Sequence, residues 1–168
     1  MIIIINGSVG VGKSSTSWEL AERFDRSFML DGDFIGAVHP FKIYDQERVD
    51  YLYKTLHHLI RFHQGHGYTN FVINYVFEQP FQLTLLTDLL KPLDGNIQAF
   101  WLTCSEKVQE ERVKKRKPDH EWDLKRYVEL NRILQASSKE GFIGREIDTT
   151  HLTIPEVADK IWQEANHN

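Results

Sequence analysis

Cys104 is the one cysteine in the 168 residues, so no disulfide can close within the chain. That suits a reducing compartment and leaves no cysteine pairs for a zinc-bearing lid. A catalytic thiol is not expected either, because Cys104 follows Trp101-Leu102-Thr103 at the end of an apolar run. Long apolar stretches are missing too: nothing approaches the roughly 20 residues needed to span a bilayer. Residues 1–5 are apolar but lack the basic flank and length of a signal peptide. A cytoplasmic protein with no membrane partner is the expectation. Basic excess is also lacking, with 20 Lys and Arg against 24 Asp and Glu and a net charge of −4, which argues against a general nucleic-acid binder. There is no repeat, low-complexity tract, long linker or Asn-Lys-x-Asp guanine-recognition motif. With 41% hydrophobic residues, residues 1–168 read as one ordinary domain.

Against these absences stands one dense motif. Residues 7–14 read Gly-Ser-Val-Gly-Val-Gly-Lys-Ser and satisfy the phosphate-binding pattern G-x-x-x-x-G-K-[ST] in full. The β-branched run at 1–5 predicts a buried strand leading into it, and residues 15–21 predict the first turns of a helix leading out. In that setting Gly7, Gly10 and Gly12 let successive backbone N–H groups turn inward around an anion. Ser8, Val9 and Val11 complete the cradle, and the helix start adds its dipole. Lys13 is the cation for the β- and γ-phosphates, Ser14 the hydroxyl for Mg²⁺, and Ser15 a further phosphate contact. ATP and Mg²⁺ are therefore the expected cofactors.

Apolar periodicity alternates strands with helices. Strands are expected at 1–5, 27–31, 71–76, 97–102 and 142–147. The helices include one to Phe24 with Trp18, Leu20 and Ala21, one capped by Asp45 and closed near Gly65, and one started by Pro80. A helix follows Ser105 and stops before Pro118, another spans 122–136, and a last one is capped by Thr153. Its buried stripe is read as Val157, Ala158, Ile161 and Trp162. The alternation implies parallel βαβ units in a three-layer α/β sandwich, with ligands beyond the carboxyl ends of the strands.

Asp31-Gly32-Asp33 falls at such an end. Asp31 is suited to hold water in the Mg²⁺ shell. Asp33 is suited to an acceptor hydroxyl, either orienting it or taking its proton; a plain polar turn is the alternative. The loop together with Leu30-Asp31-Gly32-Asp33 resembles the small P-loop kinases, the group of shikimate kinase, gluconate kinase, adenylylsulfate kinase and chloramphenicol phosphotransferase. His39-Pro40 is similar to a gluconate-kinase feature, at a longer interval. The resemblance implies a five-stranded parallel sheet in the order 2-3-1-4-5, with the acceptor between the second strand's exit and a lid.

The resemblance puts that lid in the basic segment Arg112-Val113-Lys114-Lys115-Arg116-Lys117, over about 114–124. It implies that Arg112 lies against the adenine or near the phosphates and that Arg116 meets the transferring group. A solvated helix end whose cations favour the C-terminal dipole is the alternative, and Arg126 and Arg132 are weaker candidates for the same task. By the same resemblance, Thr149-Thr150-His151 would border the adenine.

Where relatives carry an aspartate after the third strand this chain has Asn74, which puts the metal on Asp31 and leaves Asn74 as a candidate acceptor contact. Glu78 reads as a solvated loop acid, with a substitute for that missing aspartate as the alternative, and Phe34, Phe41, Tyr44 and Tyr75 as aromatics of an acceptor pocket or of the core. His57, His58, His63 and His66 read as helix-surface or half-buried residues without a metal. The expected activity is transfer of the γ-phosphate of Mg-ATP to a hydroxyl of a small molecule: a sugar acid, a hydroxy acid or an antibiotic. A nucleoside or nucleotide kinase and an acceptor-independent regulatory ATPase are the alternatives. Whether the protein is a monomer or a homodimer stays open.

Overall fold

A computed structural model describes residues 1–42, 45–115 and 121–166, without the side chains of 121–124. In chain order the elements are β1 (Ile2–Gly7), α1 (Lys13–Ala21), β2 (Ser27–Asp31), α2 (Gly32–Ile35), α3 (Gln46–Gln64), β3 (Asn70–Asn74), α4 (Pro80–Leu90), β4 (Ile97–Thr103), α5 (Glu106–Lys115), α6 (Glu121–Glu140), β5 (Arg145–Asp148) and α7 (Ile154–Asn166). The five strands form one sheet ordered β2-β3-β1-β4-β5, and every neighbouring pair is parallel. The expected fold is borne out.

β1 shows why its sequence needs both faces covered. Ile2 and Ile4 point into one core with Leu30, Phe71 and Ile73, roofed by Leu52, Leu56 and Ile60 of α3 and Leu83 and Leu86 of α4. Ile3 and Ile5 point the other way, with Val72, Phe100 and Leu102, against Leu20 of α1 and Val157, Ala158 and Ile161 of α7. A strand buried on both faces reads as an unbroken apolar run, and removing one such isoleucine side chain typically costs about 2–5 kcal/mol.

Local chemistry sets the helix starts. The Asp45 side chain accepts from the Glu47 N–H at 3.0 Å. Thr153 and Glu156 exchange bonds in a capping box, with the Thr153 N–H donating to Glu156 Oε2 at 2.7 Å. Pro80 opens α4.

Three expectations need correction. Trp162 is 38% exposed, and the buried stripe of α7 continues through Ala165 instead. The last strand starts at Arg145, not 142: Gly144 takes a φ of +121° against the Phe100 backbone, and Phe142 stays exposed. The acidic triplet is no simple turn, because Asp31 caps the short helix α2 that contains Gly32 and Asp33.

Candidate active site

The loop between β1 and α1 is held from outside so that its amides face inward. The Val9 carbonyl accepts from Gln109 Nε2 of α5 at 2.6 Å. The Val11 carbonyl accepts at 3.5 Å from both Arg112 Nη1 and Thr149 Oγ1. Ser8, almost fully buried, donates its hydroxyl to the Tyr127 carbonyl of α6 at 3.2 Å. With carbonyls engaged outward, the intervening N–H groups are left for an anion. Gly10 and Gly12 make the turn, with φ of +85° and +102°, and a Cβ at Gly10 would lie 2.6 Å from Val113 Cγ2. Gly7 ends β1, Val11 packs in the core, and Ser15 is exposed on the first turn of α1. Lys13 is buried and donates from Nζ to the Ser8 carbonyl at 3.1 Å.

The parallel pairing of β2 with β3 and of β3 with β1 brings Asp31 to the loop. Ser14 Oγ donates to Asp31 Oδ2 at 3.1 Å, while Asp31 Oδ1 accepts from the N–H groups of Asp33 at 2.9 Å and Phe34 at 3.4 Å. A hydroxyl and a carboxylate oxygen side by side are the hard donors that suit Mg²⁺, which keeps several waters and takes few protein ligands. Among the described residues no cluster of three or more acidic, His or Cys side chains competes as a metal site.

A cavity of about 380 Å³ opens from Gly12, Lys13 and Ser14. Asp33 lies across from them; Arg48, Tyr53, Tyr75, Glu78 and Arg126 continue its wall. Asp33 keeps exposed surface at the mouth, but desolvation is the largest influence on its carboxyl and raises its pKa. Lys13 pulls it down, Asp31 pushes it up and Arg48 pulls it down again. The net direction is upward, toward a better proton acceptor.

Several placements differ from expectation. Glu78 is not a solvated loop acid: it is mostly buried and pairs with Arg126 Nη2, whose Nη1 donates to Glu129 at 2.6 Å. Asn74 is fully buried and donates to Met29 Sδ at 3.5 Å; it does not line the cavity. Its strand ends at Asn74, short of the expected 76. Arg112 donates to the Thr149 hydroxyl and carbonyl, both at 3.0 Å, tying α5 to the turn after β5. Arg132 and Phe34 are exposed away from the cavity, whereas Phe41 and Tyr75 line it. Cys104 is half-buried, and burial pushes its thiol pKa up against the opposing pull of Arg112. His63 stacks on Phe28 with ring centroids 3.6 Å apart. Arg116 and Tyr44 lie outside the described residues, as do residues 116–120 of the expected lid.

The sequence, in which Lys42 and Arg48 are the only cations between Phe34 and Tyr53, assigns no site role to Arg48 or Tyr53. Arg48 is buried, with Nε donating to the Lys42 carbonyl at 3.1 Å and Nη2 to the Tyr75 hydroxyl at 3.1 Å. Their one signal is position on the inward stripe of α3, where an arginine among Val49, Leu52 and Leu56 has no solvent to face.

Residues 3–133 match the family AAA_18, described as an AAA domain. The chain belongs to it. Solved structures share the fold over nearly the whole length. The tunicamycin resistance protein of Deinococcus radiodurans is 22% identical, with 97% of this chain and 94% of that one covered and a TM-score of 0.69. A gluconokinase from Sinorhizobium meliloti 1021 is 16% identical, with 98% and 91% covered and a TM-score of 0.65. Shikimate kinase from Acinetobacter baumannii, solved with shikimate, is 21% identical, with 99% and 93% covered and a TM-score of 0.63. No curated protein sequence matches the chain significantly. The resemblance to the small P-loop kinases thus holds for the fold of this AAA_18 member. Among the described residues no helix is long and apolar enough to cross a membrane.

Proposed function

We propose that this AAA_18 protein is an ATP-dependent kinase that phosphorylates a hydroxyl group of a small molecule. The observation that supports it is the shared cavity: Asp33 faces Lys13 and Ser14 across one space with room for an acceptor beside the phosphate loop. An ATPase that needs only water has no use for that additional walled volume.

The loop amides and Lys13 would hold the β- and γ-phosphates, Lys13 exchanging its Ser8 carbonyl for phosphate oxygen. Ser14 and Asp31 would hold Mg²⁺, which supplies charge neutralisation on the phosphate oxygens when bound. Asp33 accepts the hydrogen of the acceptor hydroxyl and aims its oxygen at the γ-phosphorus. The new O–P bond forms as the bond to the β-phosphate oxygen breaks; ADP departs, and the hydroxyl proton goes to Asp33. In this scheme Asp33 would both orient the hydroxyl and take its proton, and its raised pKa supports the second role. Arg116, from the basic segment after α5, remains the proposed cation for the transferring group, with Arg112 beside the nucleotide. Asn74, buried behind the Asp31 strand, would support that strand end in this scheme.

The test is acceptor-dependent ADP release from Mg-ATP over a panel of hydroxy acids, sugars, nucleosides and antibiotics. The expected result is a stimulation of at least tenfold by one class. Hydrolysis indifferent to every acceptor would refute the proposal.

A further inference from the structure

We infer that the acceptor, given the kinase reading above, is an uncharged alcohol carrying an aromatic or otherwise apolar group, and that acids and phosphate esters are excluded. The far wall of the cavity contains two cations among the described residues, Arg48 and Arg126, and both are already committed to protein acceptors.

Arg126 is 7% exposed and lies between two carboxylates, with Nη2 on Glu78 and Nη1 on Glu129. Arg48, equally buried, spends its guanidinium on the Lys42 carbonyl at 3.1 Å, the Gly36 carbonyl at 3.5 Å and the Tyr75 hydroxyl at 3.1 Å. The Phe41 ring lies 4.8 Å from its central carbon. These bonds tie the end of α2 to α3, so drawing Arg48 toward a ligand would loosen the wall itself. Against the two cations stand Asp33 and Glu78, also on the wall. The described acceptor side is therefore balanced, and Lys13 belongs to the triphosphate.

An anionic acceptor would bring a further negative charge beside Asp33, Glu78 and the γ-phosphate. Among the described residues it would have to displace the protein acceptors of Arg48 or break the buried Arg126–Glu78 pair to find a counter-charge, and breaking such a pair is strongly unfavourable. A neutral acceptor meets no such obstacle. The remaining wall suits it: Phe41, Val49, Tyr75, Val76 and Leu130 give apolar and aromatic surface. Tyr53 stays a neutral phenol, because burial pushes its pKa up and its hydroxyl donates to the Gln82 carbonyl at 3.1 Å. Apolar walls with a few placed polar groups are the usual form of a site for a small, uncharged organic molecule.

The experiment uses matched pairs that keep the alcohol and differ in charge: 4-(hydroxymethyl)benzamide against 4-(hydroxymethyl)benzoate, and mandelamide against mandelate. Binding is measured calorimetrically with Mg²⁺ and a non-hydrolysable ATP analogue, and turnover with Mg-ATP. The expected result is at least tenfold tighter binding of the neutral member in one pair, with turnover in the same order. Tighter binding of the charged member, or no binding by either pair, overturns the inference. Neutral-selective binding without any ADP release would instead uphold the inference about the cavity while refuting the kinase reading. Glu78→Gln supplies the second arm by leaving Arg126 one carboxylate short. It should shift the binding ratio at least threefold toward the charged member, and an unchanged ratio would overturn the charge argument.

Discussion

The phosphate loop and the acceptor cavity meet at Asp33 and are built in opposite ways. The loop is eight consecutive residues whose backbone performs the binding, with carbonyls pinned outward by Gln109, Arg112 and Thr149. The cavity wall is a set of side chains gathered from α2, α3, the segment after β3, and α6. Backbone binding fixes the loop's shape through its glycines, with Lys13 and Ser14 as its only chemical side chains, whereas a wall of side chains changes character with each substitution. The first region fixes that a polyphosphate is held; the second fixes what stands beside it.

The comparison breaks most sharply at Asp33, on the boundary. Asp33→Asn should lower kcat by about 10²–10⁴-fold while ATP affinity, measured by equilibrium titration, stays within twofold. Only the ionised carboxylate can take the proton, so wild-type activity falls as pH falls through the Asp33 pKa. That pKa is raised by desolvation, so the acid limb of kcat/KM should lie above the range of an ordinary aspartate, and a limb at or below that range would count against Asp33 as the base. On the loop side, Lys13→Ala should reduce kcat/KM for ATP by about 10²–10³-fold and leave acceptor binding intact. Between the two, Gly32 gives a finer probe, because a Cβ there would lie 2.6 Å from the Tyr75 ring. Gly32→Ala should therefore misplace Asp33 and cost up to about 10²-fold in kcat, with ATP titration unchanged. The smallest effect on chemistry is expected from the far wall. Arg126→Met leaves Glu78 mostly buried without its partner and should lower stability to chemical denaturation by about 3 kcal/mol without altering ATP affinity.

The same contrast explains how much could be read from residues alone. Gly7 to Ser14 could be read because the motif is local and each member's task follows from its type. β1 and β3 were legible because burial on both faces leaves an unbroken apolar run, and the parallel sheet followed from the alternation. Glu78 was misjudged because its partner Arg126 is 48 residues away in sequence, and nothing in a loop acid announces an ion pair at that distance. Asn74 reads as a ligand contact because strand exits face sites, yet its amide is fully buried and donates to Met29 of the neighbouring strand. Trp162 was counted inward by period, although the edge of an apolar stripe is where period gives least warning. Arg48 carries no site role in the sequence because a buried arginine is rare enough that sequence patterns treat it as solvent-facing.

Arg112 carries a consequence for motion. One guanidinium grips the hydroxyl and carbonyl of Thr149 and reaches the carbonyl of Val11, so the end of α5 is moored both to the turn after β5 and to the phosphate loop. The phosphate loop and that turn are thereby constrained to shift together, held at one spacing by a single side chain.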